Sequence, residues 1–310
     1  MRCLVFYIKV NGAATEHIPV LADALAERVK LPQDAVVVDT TVGNGGHSLM
    51  FGKGLGPEGA IIGLDVDIDA IRRAQSALQQ LKCRVFLLNS NFSDVKDAVL
   101  RQGFEKVDFI LADLGVCSSQ LDDSLMGLSF QRNMPLDMRL DKRLKTTAAD
   151  IINRTDEKSL ADLIYKFGEE RASRRIAKCI VEHRRREKIT TTGQLAAIVS
   201  AAMTGRGTKK WTRIHPATRT FQALRIAVND ELGNLAALLE TAPQILKKDG
   251  RVAIISFHSL EDRLVKTSFR ENEKQGVYRI LTEKPVVADH NEVLRNRRAR
   301  SAKLRIAQRN

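Results

Sequence analysis

Four short runs of apolar, mainly β-branched residues punctuate the first 115 residues, and they constrain the fold more than any other feature. They are near-continuous, as expected of strands buried on both faces of a sheet: AVVVDTT (35–41), AIIGLDVD (60–67), RVFLLNS (84–90) and VDFILADLG (107–115). Helical segments such as DAIRRAQSALQQL (69–81) separate them, and HIPVLADALAERV is typical of a helix preceding the sheet. Alternating strands and helices predict βαβ units with right-handed crossovers around a parallel sheet.

The pattern changes after about residue 120. Residues 121–214 are typical of loop followed by successive helices, and no strand signal returns until RVAIISF (251–257). A long amphipathic helix is predicted from about Pro216, because apolar residues recur there every three or four positions: Phe221, Leu224, Val228, Leu232, Leu235 and Leu239. GVYRILT (276–282) and SAKLRIAQ (301–308) are candidates for the last two strands.

These segments predict an α/β fold class, a doubly wound sheet interrupted by an all-α insertion. Residues 1–120 and 215–310 would form one discontinuous ligand-binding domain, and residues 121–214 an inserted helical domain. A chain of 310 residues is long enough for both.

Composition narrows the classes of partner and site. The formal net charge of +13 favours polyanions, with nucleic acid ahead of membranes. The four cysteines form no CxxC pair and the six histidines are isolated, which argues against a disulfide framework and against a metal site. No apolar run approaches the length of a membrane span, and cysteine usage fits a reducing compartment, so the expected location is cytoplasmic.

The glycine-rich segment DTTVGNGGHS (39–48) follows the first predicted strand. In open parallel sheets, ligands bind beyond the carboxyl ends of the strands. Gly43, Gly45 and Gly46 would let the turn bend and let a ligand lie against the backbone, with amides of the next helix facing it. A tight strand–helix turn also needs glycine without any ligand, so this motif alone favours binding only modestly.

Three residues at later strand ends strengthen the case for a ligand. Asp65 ends the second strand about twenty residues after the glycines, where a carboxylate can accept hydrogen bonds from a ribose diol. Phe92, after the third strand, is a candidate to stack on an adenine, with a core phenylalanine as the alternative. Asp113 ends the fourth strand and would face the reacting end of the ligand.

Two ligands satisfy this logic: a nicotinamide dinucleotide and S-adenosylmethionine. The dinucleotide fingerprint needs a third glycine three positions after the second, where this chain has Ser48, and no Walker-type lysine follows. The pattern therefore favours S-adenosylmethionine. An NAD-dependent oxidoreductase and a catalytically silent RNA-binding protein stay as the competing functions.

Nine long motifs, in the same order from about His17 to the C-terminus, closely resemble the MraW-type small-subunit (16S) rRNA cytosine N4-methyltransferase family. They are HIPVL, DTTVGNGGHS, IIGLDVD, ADLGVCSSQLDD, PLDMR, YKFGEERASRRIAKCIV, HPATRTFQALRIAVNDEL, ISFHSLEDRLVK and RSAKLRIA. The resemblance implies a class I (Rossmann-like) methyltransferase fold with an inserted substrate domain. It also implies S-adenosylmethionine as cofactor and a cytosine in the decoding region of small-subunit rRNA as target.

Carried over position by position, the resemblance places the cofactor contacts on seven residues. They are Gly45, Gly46, His47, Asp65, Phe92, Asp113 and Gln120. This chain departs from the family pattern at Cys117, where serine is usual, and at Met126 and Leu128, which replace an arginine and an aromatic. The lost arginine removes a candidate contact to phosphate or base, so the departures bear on the substrate pocket more than on the cofactor pocket.

Methylation of an exocyclic amine needs alignment and a hydrogen-bond acceptor more than covalent catalysis. Asp113 is the candidate acceptor, and His258, after the fifth predicted strand, is a second candidate catalytic group. The alternative for that stretch is helix capping, because Ser259 and Asp262 have capping-box spacing. Cys117 has no adjacent base or positive charge to activate a thiolate, so a packing role is expected for it.

The target base must leave its stack to react, and phosphate contacts would supply the binding energy. Basic stretches at 171–188, 205–213 and 295–309 are candidates. The candidate RNA contacts are Arg184, Arg185, Arg186, Lys209, Lys210, Trp211, Arg219 and Arg225. A polar stripe containing Arg219, Gln222, Arg225 and Asn229 could equally form an interdomain hydrogen-bond network. The expected partner is the small ribosomal subunit, and a homodimer is compatible with the sequence.

Overall fold

A seven-stranded sheet with the order β3-β2-β1-β4-β5-β7-β6 forms the centre of the protein in a computed structural model, which describes residues 19–116, 126–204 and 215–310. Strands β1 to β5 pair in parallel, and β7 is antiparallel to both β5 and β6. The strands are β1 Val36–Asp39, β2 Ala60–Asp65, β3 Arg84–Asn89, β4 Val107–Asp113, β5 Leu246–Ser256, β6 Tyr278–Ile280 and β7 Lys303–Arg309. All seven predicted strands and the α/β fold class are confirmed.

Both faces of the sheet are buried, which explains the near-continuous apolar runs. In β1, Val36 and Val38 pack into one apolar cluster with helices from the second half of the chain, and Val37 packs into another on the opposite face. The helices around the sheet are α1 Ala22–Arg28, α2 Gly46–Gly52, α3 Ile68–Leu78, α4 Val95–Arg101, α10 Glu231–Ile245, α11 Ser259–Lys274 and α12 His290–Arg295. None of the described helices is long and apolar enough to cross a membrane.

A second group of helices lies between β4 and β5 in the chain and has its own apolar cluster. These helices are α5 Ala148–Arg154, α6 Glu157–Gly168, α7 Ser173–Arg184, α8 Thr192–Thr204 and α9 Thr218–Asn229. Local signals fix their starts: Thr147 and Asp150 form a capping box at α5, and Asp156 caps α6 through the backbone N–H of Ser159. The predicted all-helical character of this segment agrees with these elements.

The long helix predicted from Pro216 is wrong, because the structure breaks it into α9 and α10 at Asp230. Asp230 has a left-handed backbone with φ of 47°, which no α-helix continues through. Phe221 and Val228 pack into the helical cluster, whereas Leu235 packs against the sheet. Apolar packing of the helical segment therefore extends to Val228, and the predicted domain boundary between residues 214 and 215 stays a prediction.

Candidate active site

A cavity of about 450 Å³ opens at the carboxyl ends of the parallel strands, where the sequence predicts a ligand. Five of the seven predicted cofactor contacts line it: Gly46, His47, Asp65, Phe92 and Asp113. Gln120 lies outside the described residues, as do Cys117, Lys209, Lys210 and Trp211. The cavity wall also contains residues from α9 to α11, so the sheet and the helices that follow the insertion close one space.

The three glycines of the turn have different roles. Gly43 has φ of 51° and lines the cavity, where a Cβ atom would meet only the Thr41 carbonyl oxygen, at 3.8 Å. Gly45 has φ of 85° and does not line the cavity; a Cβ there would lie 3.4 Å from the Ala74 Cα of α3. Gly45 therefore allows α2 to pack against α3, and its predicted cofactor contact can only be made by its backbone.

Asp65 is half-buried at the end of β2 and already holds the turn. Its Oδ2 accepts a hydrogen bond from the Gly43 N–H at 2.9 Å, and its Oδ1 accepts one from the Asp67 N–H at 2.9 Å. Burial raises the pKa of Asp65 to about 6, against the lowering effect of those two bonds. Each carboxylate oxygen keeps a second lone pair for a ligand hydroxyl, as the ribose prediction requires.

The raised pKa of Asp65 predicts a pH-dependent affinity for an adenosyl ligand. The ionised carboxylate is the form that accepts hydroxyl hydrogen bonds, and it is populated above the folded-state pKa of about 6. Binding should be complete above this pKa and weaken as the pH falls through it, by about tenfold at about pH 5. Calorimetric titration of S-adenosylhomocysteine across the pH range measures this, and an affinity flat from neutral pH to about pH 5 would contradict it.

Asp113 lies at the end of β4 beside Thr41 and the buried side chain of His47. Its backbone N–H donates to Thr41 Oγ1 at 2.7 Å, and its Oδ2 lies 3.9 Å from His47 Nδ1. His47 Nε2 lies 2.9 Å from the Val20 carbonyl oxygen, to which it can donate, and Nδ1 faces Asp113. Burial raises the pKa of Asp113, with His47 opposing the shift. The result is a carboxyl with limited hydration at the predicted reacting end.

Asp39 at the end of β1 adds a third acidic group to this edge. It accepts a hydrogen bond from Ser48 Oγ at 2.7 Å, and burial raises its pKa. Ser48 stands where the dinucleotide fingerprint has a glycine, and its hydroxyl is the hydrogen-bond donor to Asp39. Asp65 and Asp113 line the cavity, whereas Asp39 is buried and does not, and two carboxyls facing one cavity favour a ligand that carries positive charge.

Phe92 makes the core contacts of the alternative interpretation, and its predicted contact with an adenine stays a prediction. It begins a 3₁₀ turn, Phe92–Asp94, capped by Asn91 through the backbone N–H of Ser93. Its ring packs against the apolar cluster of the sheet and also lines the cavity. The core role is thus present in the structure, and the residue also forms part of the cavity wall.

His258 caps helix α11, and the predicted Ser259–Asp262 capping box is wrong. His258 Nδ1 accepts from the Glu261 N–H at 3.3 Å, and Glu261 Oε2 accepts from the backbone N–H groups of Phe257 and His258. Asp262 instead pairs with Lys303 and Arg305 of β7. The cap lies one residue before the predicted Ser259, and the sequence did not indicate it because histidine is an uncommon capping side chain. His258 stays a predicted catalytic group, but one whose Nδ1 is occupied.

The structure brings together a charged group that the sequence did not reveal. Arg225 of α9 binds Glu231 of α10 through Nε and Nη2 at 2.8 and 3.0 Å. Ligand atoms of Glu231, His258 and Glu261 lie within 4.8 Å of one another. Arg225, Glu231 and Glu261 belong to three different helices, α9, α10 and α11, so no single helical spacing in the sequence could have signalled that they lie close together. Arg225, Glu231 and Glu261 all line the cavity.

The remaining residues of the predicted polar stripe join α9 to neighbouring segments. Arg219 Nη1 donates to the Glu169 carbonyl oxygen, Gln222 Nε2 to that of Phe167, and Asn229 Nδ2 to that of Met138. The alternative of a hydrogen-bond network thus describes these three contacts. Arg225 is the stripe residue that places a charge in the cavity wall.

The predicted basic helix α7 presents only part of its charge to solvent. Arg184 is half-buried and donates from Nη1 to the Ile152 carbonyl oxygen. Arg185 and Arg186, just beyond the helix end, are exposed. Met126 is buried and Leu128 packs against the helical cluster, so these two departures from the family pattern have apolar surroundings.

Comparison with known proteins assigns the family. The profile of the MraW methylase family matches residues 14–310. The chain belongs to the MraW methylase family. Similar curated relatives are the ribosomal RNA small subunit methyltransferases H of Acidobacterium capsulatum (48% identity, covering 94% of this chain and 98% of the relative) and of Cyanothece sp. (47%, 94% and 94%). The predicted MraW family and its activity class, rRNA methylation, are confirmed.

Solved structures of methyltransferases also align with this MraW chain. One is an rRNA-methylase from Clostridium thermocellum, with a TM-score of 0.44, 13% identity, and coverage of 93% of this chain and 95% of that one. Another is a methyltransferase from Streptococcus mutans in complex with SAH, with a TM-score of 0.43, 12% identity, and coverage of 93% and 95%.

Proposed function

We propose that this protein transfers a methyl group from S-adenosylmethionine to the exocyclic N4 amine of a cytosine in the decoding region of small-subunit rRNA. The observation that carries the proposal is one cavity in which the glycine turn and Asp65 lie next to the carboxyl of Asp113. The MraW family and the names of the relatives support the rRNA substrate. Cytosine and its N4 position come from the resemblance in sequence and from the chemistry of the site.

The donor set fits an adenosyl sulfonium ligand. Asp65 would accept from the ribose hydroxyls, and Phe92 would lie against the adenine. Gly43 and Gly46 line the cavity, and the absence of a side chain there lets the ligand lie against their backbone. Gly45, His47 and Gln120 are the other predicted cofactor contacts. The carboxylate of Asp113, which lines the cavity, would attract the sulfonium charge.

When bound, S-adenosylmethionine would supply an electrophilic methyl group for the amine nitrogen, and Asp113 would take the proton that the amine loses. Asp113 would accept a hydrogen bond from the amine and hold its nitrogen in line for attack. A carboxyl with limited hydration suits that task, since little solvent must be displaced from it. His258 could reach the base only by giving up part of its contact with Glu261.

We further propose that residues 121–214 form a substrate domain that guides rRNA to the cavity. The candidate RNA contacts are Arg184, Arg185, Arg186, Lys209, Lys210, Trp211, Arg219 and Arg225. Among them, Arg225 lines the cavity. Because ribosomal subunits are the proposed substrate, we expect the enzyme to act in the cytoplasm. A homodimer is neither required nor opposed by this arrangement.

Reversing the charge of Arg185 and Arg186 to glutamate should weaken binding to small-subunit rRNA on the order of tenfold. It should also reduce the slope of log affinity against log salt by roughly one to two, because each phosphate contact releases counterions. Filter binding across salt concentrations measures both quantities. Arg72→Glu, an equal charge change per site on exposed α3, is the control. An unchanged slope would remove these arginines from the interface.

Transfer of labelled methyl groups to purified small subunits, followed by nucleoside mass spectrometry, tests the proposed function. We expect one methylated nucleoside, N4-methylcytidine or its further-modified form, in the decoding region. Label in another nucleoside, or no transfer by a protein that binds the cofactor, would refute the proposal.

A further inference from the structure

We propose that Arg225, Glu231 and Glu261 form the base-reading end of the cavity and select cytosine over uracil. This inference rests on the proposed function, because it names how that same site would recognise its target. The three residues line the cavity that also contains Asp65 and Asp113. No contact to substrate was assigned to the two glutamates by the sequence motifs.

The break between α9 and α10 is what brings this group together. In an unbroken helix, residues six positions apart are rotated by roughly 240°, so Arg225 and Glu231 would point to different sides. The left-handed backbone of Asp230, with φ of 47°, turns the chain and lets the guanidinium grip the carboxylate through two bonds of 2.8 and 3.0 Å. The left-handed conformation of this non-glycine residue is strained, and it places the charged pair in the cavity wall.

Because the group is buried, a contribution to folding stability alone does not explain its charges well. The side chains of Arg225, Glu231 and Glu261 are only 20%, 14% and 3% exposed. Removing charged groups from water costs free energy that pairing rarely returns in full, and an apolar cluster would stabilise the same helices at least as well. The charges are therefore better explained by a ligand that needs them.

The charge balance of the group favours a hydrogen-bond donor. The carboxylates of Glu231 and Glu261 have ligand atoms within 4.8 Å of each other, and the guanidinium beside them, that of Arg225, hydrogen-bonds Glu231 but, within the described part of the chain, not Glu261. His258 Nε2 beside them is buried and, among described residues, makes no aligned hydrogen bond, although it lies 3.1 Å from Glu261 Oε1. The group thus keeps unused hydrogen-bonding capacity beside the cavity. An amine that gains positive charge on methylation would be stabilised there.

The pairing of acceptor and donor matches one pyrimidine edge. Cytosine presents the N4 amine as donor beside N3 as acceptor, and a glutamate accepting from N4 is a recurrent protein contact to cytosine. Glu231 would accept from the amine, and Arg225, whose Nε and Nη2 bind Glu231, keeps Nη1 as a donor for N3. Uracil reverses both groups, with an acceptor at O4 and a donor at N3. It would leave buried polar groups unpaired.

A divalent cation is the competing occupant, since Glu231, His258 and Glu261 could supply three ligands. Arg225 already neutralises Glu231, and Glu261 Oε2 is occupied by the backbone N–H groups of Phe257 and His258. The geometry therefore favours the amine over the cation.

The test measures binding of cytidine and uridine to the full chain with S-adenosylhomocysteine bound, by NMR titration, together with kcat/KM on small subunits. We expect the unmodified protein to bind cytidine more tightly than uridine by roughly 10- to 100-fold. Glu231→Gln and Arg225→Lys should bring this ratio close to one and lower kcat/KM by a similar factor. Glu240→Gln, an exposed change on the same helix, should alter neither quantity.

Melting temperature and S-adenosylhomocysteine affinity show whether each variant is folded. If neither variant folds, the cytidine-to-uridine ratio of the unmodified protein decides alone, and a ratio near one overturns the inference. A cytidine preference unchanged in folded variants overturns it too, as does stoichiometric binding of Mg²⁺, Mn²⁺ or Zn²⁺ that Glu231→Gln removes. These failures leave N4 methylation intact, whereas absence of methyl transfer by the unmodified protein refutes the proposed function itself.

Discussion

Replacing Asp65 with alanine is expected to weaken S-adenosylmethionine binding by at least roughly a hundredfold. Two hydrogen bonds from ribose hydroxyls to a charged acceptor would be lost, each worth about 1.5–3 kcal/mol. The glycine turn would lose its anchor as well, because Asp65 Oδ2 holds the Gly43 N–H at 2.9 Å. Both effects act on the same equilibrium, so the loss should exceed that of a single contact. Isothermal titration with S-adenosylmethionine gives the affinity directly.

Two further variants separate these effects. Asp65→Asn keeps the side-chain shape and one acceptor oxygen but removes the charge, so its affinity should lie between those of the unmodified protein and Asp65→Ala. It should also lose the pH dependence expected near the pKa of about 6. Asp69→Asn, an equivalent change at a more exposed aspartate on α3, should bind normally. Normal binding by a folded Asp65→Ala protein would remove Asp65 from the cofactor site.

Replacing Asp113 with asparagine is expected to lower the single-turnover rate of methyl transfer by about 10²- to 10⁴-fold, the range typical of a lost acid–base group. The amide keeps the shape and one acceptor oxygen but cannot take a proton or offset developing positive charge. Cofactor affinity should change less than in Asp65→Ala, because the ribose contacts are untouched. The rate must be measured at saturating S-adenosylmethionine, so that weaker binding does not imitate slower chemistry.

Asp108 provides a matched control for Asp113. It lies on the same strand, at the opposite end, where its Oδ2 accepts from the Val36 N–H and from Lys247 Nζ. Asp108→Asn should therefore affect stability without changing the transfer rate at saturating cofactor. Equal rates for Asp113→Asn and the unmodified enzyme would leave Asp113 with a cofactor role only.

The strands of the sheet are predictable because the pattern of a few consecutive residues is enough to indicate each of them. A parallel strand buried on both faces needs an apolar run, and three of the four residues of β1 are the valines Val36 to Val38. The edge of the sheet expected to bind the cofactor is predictable for the same reason. Asp65 and Asp113 each end a strand, and the carboxyl ends of parallel strands meet at one edge whatever the loops do.

What the sequence did not reveal depends on backbone geometry at single residues. Apolar spacing continues across Asp230, so periodicity could not show that α9 and α10 turn to different partners. The pairing of Arg225 with Glu231, and the approach of Glu261, follow from that turn. The capping box of α11 was predicted one residue too late along the chain. Both the predicted partner Asp262 and the observed partner Glu261 are acidic, so the sequence did not distinguish them.

A crystal structure of the protein with S-adenosylmethionine would test the central claim most directly. The account predicts both ribose hydroxyls within hydrogen-bond distance of the Asp65 carboxylate and the sulfonium methyl facing the space between Asp113 and the Arg225–Glu231 pair. Density for the cofactor away from this edge, with Asp65 still bonded only to Gly43 and Asp67, would contradict it.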